Sequence, residues 1–314
     1  YMEASLDYSR RFGNHELGGL LLYNQRVSHY AGGGFNGIPR TILGLVARMT
    51  YNYKTKYLFD MNMGYNGSEN FPEASRFGFF PSASLGWILS EEEFMQNVGF
   101  LDYIKIRGSY GLVGNDRLPG NRFLYLPDSW TNETVAGDLG YSGFGYGANA
   151  LYGYNFGIDN PTIQPGALEN LIGNPYVTWE TAIKQNYGVD LKVFKGKLSL
   201  SADYFREYRK DILIQQNTVP SYVAAELPAV NLGEVKNQGY EVELRWHQKF
   251  NKDLMLRIGA NMSYARNEIM FWDEIPQPHD YLYVTGNPVG QPFGYISNGF
   301  FTDTTDTSTD PAYA

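Results

Sequence analysis

The chain contains no cysteine, so disulfide frameworks, thiolate metal sites and cysteine nucleophiles are all excluded. That lack suits an oxidising or extracytoplasmic compartment. Charged residues make up only 18% of the 314 residues, below the roughly 25% of a typical soluble domain, which argues against a disordered chain. No apolar run approaches the roughly 18–20 residues a membrane helix needs, because polar residues interrupt every hydrophobic stretch, so a helical membrane protein is excluded. Basic clusters are missing too, and a net charge of -8 leaves nucleic acid without the cationic surface its phosphates require. No secretory signal opens the chain: Tyr1-Met2-Glu3-Ala4 already reads as an alternating strand, and the expectation is a fragment.

What is abundant is tyrosine, phenylalanine and glycine, at 26, 19 and 35 residues. They fall into a pattern of period two, the signature of strands. Tyr57, Phe59, Met61, Met63 and Tyr65 share one face, with Asp60, Asn62, Gly64 and Asn66 on the other. Val177, Trp179, Ile183, Tyr187, Val189, Leu191 and Val193 likewise read as one face of a long strand, opposite Glu180, Lys184, Asn186, Asp190 and Lys192. Similar alternation occupies 198–204, 240–247 and 254–264. About ten such segments are expected, with an eleventh near 293–300.

The connections alternate in length. Gly13-Asn14, Lys54-Thr55-Lys56, Lys195-Gly196-Lys197 and Asn251-Lys252-Asp253 are tight hairpin turns. Residues 29–41, 67–77, 115–175, 211–234 and 268–290 are long connections, and Ser90 to Asp102 is a moderate linker on the short-turn side. A soluble sandwich has no reason to put every long loop at one end. A transmembrane barrel does, since its periplasmic turns are short, its extracellular loops long and its strands apolar outside and polar inside. Phe12, Tyr53, Tyr57, Phe194 and Phe250 recur beside the short turns, where an aromatic girdle belongs.

Three ordered phrases carry a family resemblance: GLVARMTYNYKTKYLFDMNMGYNGSENF at 44–71, RFGFFPSASLGWILSEEEF at 76–94 and LDYIKIRGSYGLVGND at 101–116. With GNPYVTWE at 173–180, ADYFREYRKDIL at 202–213, NLGEVKNQGYEVEL at 231–244 and GNPVGQPFGYISNGFF at 286–301, the chain resembles the SusC/RagA family of TonB-linked outer-membrane transporters. The resemblance implies an all-β fold: residues 1–314 would form a partial antiparallel transmembrane barrel, about half of an expected set of about 22 strands. Residues 115–175 would be a long extracellular loop within it, and the plug, the TonB-contacting segment and the closing strands would lie elsewhere. It further implies import of oligosaccharides or oligopeptides, a SusD-like surface lipoprotein, energy from the TonB-ExbB-ExbD system, contact with outer-membrane lipid, no cofactor and no nucleic acid. Two alternatives stay open at this point: a siderophore or vitamin TonB receptor or a porin, and a soluble surface glycan-binding or glycan-cleaving β protein.

Catalytic chemistry finds little support. Nucleophile-elbow, zincin, phosphate-loop and dinucleotide motifs are missing, and His15, His29, His247 and His279 lack metal-ligand spacing. Glu241 and Glu243 lie about 7 Å apart on one strand face, a separation compatible with glycoside hydrolysis but ordinary for a hydrated wall. Asp303, Asp306 and Asp310 lack the glycine and terminal glutamate of a calcium loop. The expectation is therefore no catalytic residue and no metal. Contact with solute or partner is expected instead in the long loop, where glycine is interleaved with aromatic faces suited to sugar rings or peptide side chains. Those residues are Trp130, Tyr141, Phe144, Tyr146, Tyr152, Tyr154 and Phe156.

Overall fold

The computed structural model describes residues 1–29, 38–95, 98–118, 122–126, 153–155, 163–165, 172–219 and 227–297. Ten strands form one antiparallel sheet: β1 (Met2–Phe12), β2 (His15–Ser28), β3 (Arg40–Tyr53), β4 (Tyr57–Ser68), β5 (Phe77–Ile88), β6 (Leu101–Asn115), β9 (Glu180–Val193), β10 (Leu198–Ile214), β11 (Val230–Lys249) and β12 (Met255–Phe271). Two short strands, β7 (Gly153–Asn155) and β8 (Ile163–Pro165), pair apart from it. The sheet is a pure meander in which every strand lies beside its sequence neighbour, with β6 and β9 adjoining across the long connection.

Tight turns follow from local chemistry. Gly13 adopts φ +58° beside Asn14, and Lys54 and Thr55 both sit near +55°, the backbone twist that closes a hairpin between right-twisted strands. Phe194, Lys195 and Gly196 make the equivalent left-handed turn between β9 and β10. Short connections thus gather at one end of the sheet and long ones at the other. The linker after β5 holds two short 3-10 turns, Leu89–Glu91 and Glu93–Met95.

Register assigns every residue to a face, because directly paired residues in an antiparallel ladder point the same way. Tyr53, Tyr57 and Trp87 are paired in series, so the Tyr57-to-Tyr65 face continues through Met49 and Leu45 of β3 and Leu85 and Phe79 of β5. It extends to Ile106 and Tyr110 of β6, Tyr187 and Val189 of β9, Leu200 and Tyr204 of β10, Tyr240 and Leu244 of β11, and Ile258 and Tyr264 of β12. Many of these large side chains are exposed. Such a broad apolar sheet face open to solvent does not fit a water-soluble protein.

The opposite face is polar and concave. Ser9 of β1 and Asn186 of β9 line the same cavity of about 490 Å³, together with Glu16, Thr50, Asp60 and Arg107. Six strand steps separate β1 from β9, roughly 29 Å in a flat sheet, so the sheet must curl for both to border one cavity of that size.

Two expectations change. Val177 and Trp179 do not join the apolar face: β9 starts at Glu180, and both side chains pack inward at the long-loop end, Val177 fully buried. Residues 293–297 carry no strand, and 298–300 lie outside the described residues. Next to Gly233 the ladders are irregular, with register shifts between Arg209 and Leu213 on β10 and between Glu234 and Val235 on β11.

Candidate functional site

The polar face is organised by ion pairs that join neighbouring strands. Arg107 of β6 donates from Nε to Asp190 Oδ2 of β9 at 3.1 Å and from Nη2 to Asp203 Oδ2 of β10 at 2.6 Å, while Ser201 Oγ donates to Asp190 Oδ1 at 2.7 Å. Gly188 sits between these strands, and a Cβ there would come within 2.6 Å of the guanidinium carbon, so its lack of a side chain lets one arginine reach both carboxylates. Higher up, Arg209 contacts Glu180 and Glu207, and Lys184 Nζ lies 3.2 Å from Glu207 Oε2. Arg48 pairs with Asp60 across β3 and β4. A wall on which many of the charges are paired in this way remains wettable without strongly holding one sign of solute. Glu243 is part of this pattern: its Oε1 accepts from Arg245 Nε at 2.7 Å, and Glu241 stands exposed beside it on the same face. His247 is on that face too, opposite Arg257.

At the long-loop end lies the main buried cluster among the described residues. Phe71, Leu124, Val177 and Ala229 come from three different connections, with Leu118, Tyr125, Trp179 and Leu213 packed around them. The Trp179 ring lies 5.0 Å from Phe71 and 5.2 Å from Phe80. Cβ atoms at Gly78 or Gly114 would overlap the Phe80 ring, so both glycines make room for it. Polar groups then stitch the connections: Trp179 Nε1 donates to the Ser75 carbonyl at 3.1 Å, Ser75 Oγ to the Val177 carbonyl at 2.7 Å, and Asn174 Nδ2 to the Ala229 carbonyl at 2.9 Å. Arg122, 8% exposed, meets Glu69 at 2.9 Å and also donates to the Ile38 carbonyl at 2.7 Å.

The connection after β12 is tied in through two carboxylates. Asp273 accepts from the Thr218 and Asn217 backbone N–H groups and from the Thr218 hydroxyl, and these donors, the Thr218 N–H foremost, hold its carboxyl below the usual range. Burial pushes the Glu274 carboxyl up, but the Thr285 hydroxyl and the Val284 and Thr285 N–H groups outweigh it and leave the group lowered. At the short-turn end Glu92 gathers donors from the Tyr57 hydroxyl, Trp87 Nε1 and Lys56 Nζ, which lower its carboxyl in that order. This anchors the β5–β6 linker under the aromatic rings of Tyr53, Tyr57 and Trp87, spaced 6.3 Å apart.

Of the aromatic residues expected to touch solute or partner, Tyr154 lies in β7, paired with Gln164 of β8. Trp130, Tyr141, Phe144, Tyr146, Tyr152 and Phe156 lie outside the described residues, as do Asp303, Asp306 and Asp310. No group of three or more histidine and carboxylate side chains suited to a metal is found among the described residues.

An antiparallel meander with an apolar outer face, a concave charged inner face and long connections collected at one end defines the wall of a transmembrane β-barrel. The sequence matches the family described as TonB dependent receptor-like, beta-barrel over residues 2–312, and the chain belongs to that family, whose place is the outer membrane. It is 30% identical over 306 residues to the TonB-dependent receptor P39 of Formosa agariphila, a match covering 96% of this chain and 25% of that protein. Identity to the TonB-dependent receptor SusC of Bacteroides thetaiotaomicron is 28% over 236 residues, covering 73% of this chain and 21% of the relative. Among solved structures, the RagAB peptide importer in its closed-closed state shares the fold with a TM-score of 0.68 at 19% identity, over 91% of this chain and 32% of that one. The chain therefore spans about a quarter of the length of the curated relatives it matches. The family is one of transporters rather than enzymes.

Proposed function

We propose that this chain is part of the barrel of a SusC-like importer that takes large solutes, oligosaccharides or oligopeptides, across the outer membrane in a TonB-dependent cycle. The observation that carries this reading is the combination of a wide polar inner wall laced with ion pairs and long connections fastened together at one end only. A wall of paired charges lets a bulky polar solute slide past without a deep trap, and a fastened rim offers a stable seat for a capping partner. The relative named SusC and the RagAB peptide importer support the same class. In this reading a SusD-like surface lipoprotein closes the mouth, TonB-ExbB-ExbD supplies energy through parts of the protein beyond this chain, and the outer face meets outer-membrane lipid. Residues 1–314 then belong to one barrel domain, with 115–175 as an extracellular loop that presents Trp130, Tyr141, Phe144, Tyr146, Tyr152, Tyr154 and Phe156 to solute or lipoprotein.

The test is uptake by cells lacking the full-length gene, measured with fluorescent oligosaccharides and oligopeptides, with and without a protonophore. Loss of energised uptake of one class, restored by the intact gene, is the expected result. Uptake of both classes that survives the deletion refutes the reading.

A further inference from the structure

The apolar face ends abruptly over β9 to β12. Tyr187, Tyr204, Tyr240 and Tyr264 are directly paired from strand to strand and form one continuous row, all exposed, with the Tyr240 and Tyr264 rings 5.6 Å apart. Toward the short turns the next outward positions are apolar: Val189, Ala202, Val242 and Met262, followed by Leu191, Leu200, Leu244 and Ala260. Toward the long connections the next outward row is Gln185, Arg206, Gln238 and Arg266, and the row beyond it is Ile183, Tyr208, Lys236 and Glu268. A tyrosine row with hydrocarbon-compatible residues on one side and cations on the other marks the depth where acyl chains give way to headgroups. Because the long connections lie on the far side, that boundary faces the outer leaflet.

Arg206 and Arg266 are exposed on this outward face, and among the described residues no carboxylate forms an ion pair with either of them or with Lys236. On the inner face Arg107, Lys184, Arg209 and Arg245 are paired, while Arg257 and Lys192 there form no ion pair among the described residues. Two carboxylates do stand nearby: Glu268 opposite Lys236 one row up, and Glu234, which is engaged by the Tyr208 hydroxyl. Neither lies in the row that carries the two arginines. Across two strand steps their backbones are roughly 10 Å apart, with the Gln238 amide between them. Guanidinium forks match phosphate oxygens bidentately, and at a headgroup boundary two arginines that no protein carboxylate holds are free to take them.

We propose that Arg206 and Arg266, with Gln238 and Lys236, form a binding site for a phosphorylated lipid headgroup of the outer leaflet, seated above the Tyr187-Tyr204-Tyr240-Tyr264 row. The site lies on the outside of the wall and is separate from the transport path, so its failure and the failure of the import reading are distinguishable: solute uptake tests the one, lipid retention the other. The experiment places the full-length protein in nanodiscs of phosphatidylcholine with and without lipid A and counts retained lipid by native mass spectrometry after release. Wild-type protein is expected to keep lipid A in preference to phosphatidylcholine. At about a tenfold factor for each 1.4 kcal/mol and about 1 kcal/mol for each surface cation, the double variant R206Q/R266Q loses roughly thirtyfold in affinity. The pair R206K/R266K keeps both charges but loses the forks, so its retention falls between wild type and R206Q/R266Q, which separates loss of charge from misfolding, and Arg257→Gln on the inner face leaves retention unchanged. Equal lipid A retention by R206Q/R266Q, equal loss in Arg257→Gln, or displacement by chloride as readily as by inorganic phosphate of the same ionic strength overturns the proposal.

Discussion

Replacing Phe71 by alanine should loosen the long-loop end of the barrel without touching its wall. The side chain is fully buried between Leu124, Val177 and Ala229, with Trp179 against its ring. Removing a buried phenylalanine ring costs about 3–5 kcal/mol in a rigid core. Here the surrounding cluster is small and its outer members are only partly buried, so the low end, about 3 kcal/mol, is appropriate. All of that cost falls on connections, because the strands are held by their own ladders, and the opening it promotes is local. At a tenfold change per 1.4 kcal/mol, the open population rises roughly a hundredfold. Hydrogen exchange on the full-length protein reads this directly at the Asn174 amide, which donates to the Leu124 carbonyl at 2.7 Å, and the Thr178 amide, which donates to Asn231 Oδ1 at 3.0 Å. Both should exchange roughly a hundredfold faster while amides of Met61 and Val242 in the ladders stay as they were. Phe79→Ala, which removes an equally large but outward-facing ring, is the control and should leave the loop amides alone. Unchanged exchange at Asn174 and Thr178, or acceleration spread over the strands, refutes the idea that this cluster fastens the rim independently.

Other perturbations follow from the same geometry. Gly114→Ala forces a Cβ into the Phe80 ring and should cost about 1–3 kcal/mol, a penalty that Phe80→Ala relieves in the double variant, as chemical unfolding of the four proteins would reveal. Arg107→Gln leaves Asp190 and Asp203 facing each other; since all three groups keep partial solvent access, the loss is about 1–2 kcal/mol rather than that of a fully buried pair, read from the urea midpoint. Asp273 has a depressed pKa, so its contribution is fully present above the ordinary carboxylate value near 4 and is lost as pH falls through the lower folded value. Exchange of the Asn217 and Thr218 amides, corrected for intrinsic rate, should be flat from neutral pH down to about 4 and rise only below it. A rise already at pH 6 would point to another group.

Much of this architecture is legible in the residues because strand physics is short-ranged. Alternation alone separates the outward Tyr57-to-Tyr65 set from Asp60 and Asn62, and Gly13-Asn14 or Lys195-Gly196 announce hairpins through their backbone preferences. Register is what alternation cannot supply. That Arg107 would bridge Asp190 and Asp203 depends on β6 adjoining β9 across more than sixty intervening residues, a pairing with no local signature. Trp179 shows the converse: it keeps in step with Ile183 and Tyr187, yet it precedes the first paired residue of β9 and rotates inward to Phe71 and Phe80. A period of two says which residues share a face only where a ladder holds the chain. The buried role of Phe71 was invisible for the same reason, since a loop phenylalanine has no pattern to betray its neighbours.

Strand length explains why the tyrosine row, the cations above it and the fastened rim occur in that order. β4 has 12 residues, about 40 Å along the strand, or about 30 Å of height at a 40° tilt, close to the span of a bilayer core. β11 has 20 residues and on the same reckoning rises about 50 Å, so roughly 20 Å of it stands clear of the hydrocarbon. The outward faces agree: β4 is apolar from Tyr57 to Tyr65, whereas β11 turns polar at Gln238, with the eight strand residues from Val230 to Asn237 still beyond it. The register shifts near Ile212 and Val235 lie in this projecting part, where a bend does not disturb the lipid-facing band. The wall is therefore low at β4 and high at β10 to β12. The Asp273 and Asn231 hydrogen bonds lie at or near the top of the high side, and the Glu69 and Ser75 bonds lie beyond the low side. Fastening the rim across that step in height needs connections long enough to bridge it, which gives the length of the loops at this end a mechanical reason separate from any solute they receive.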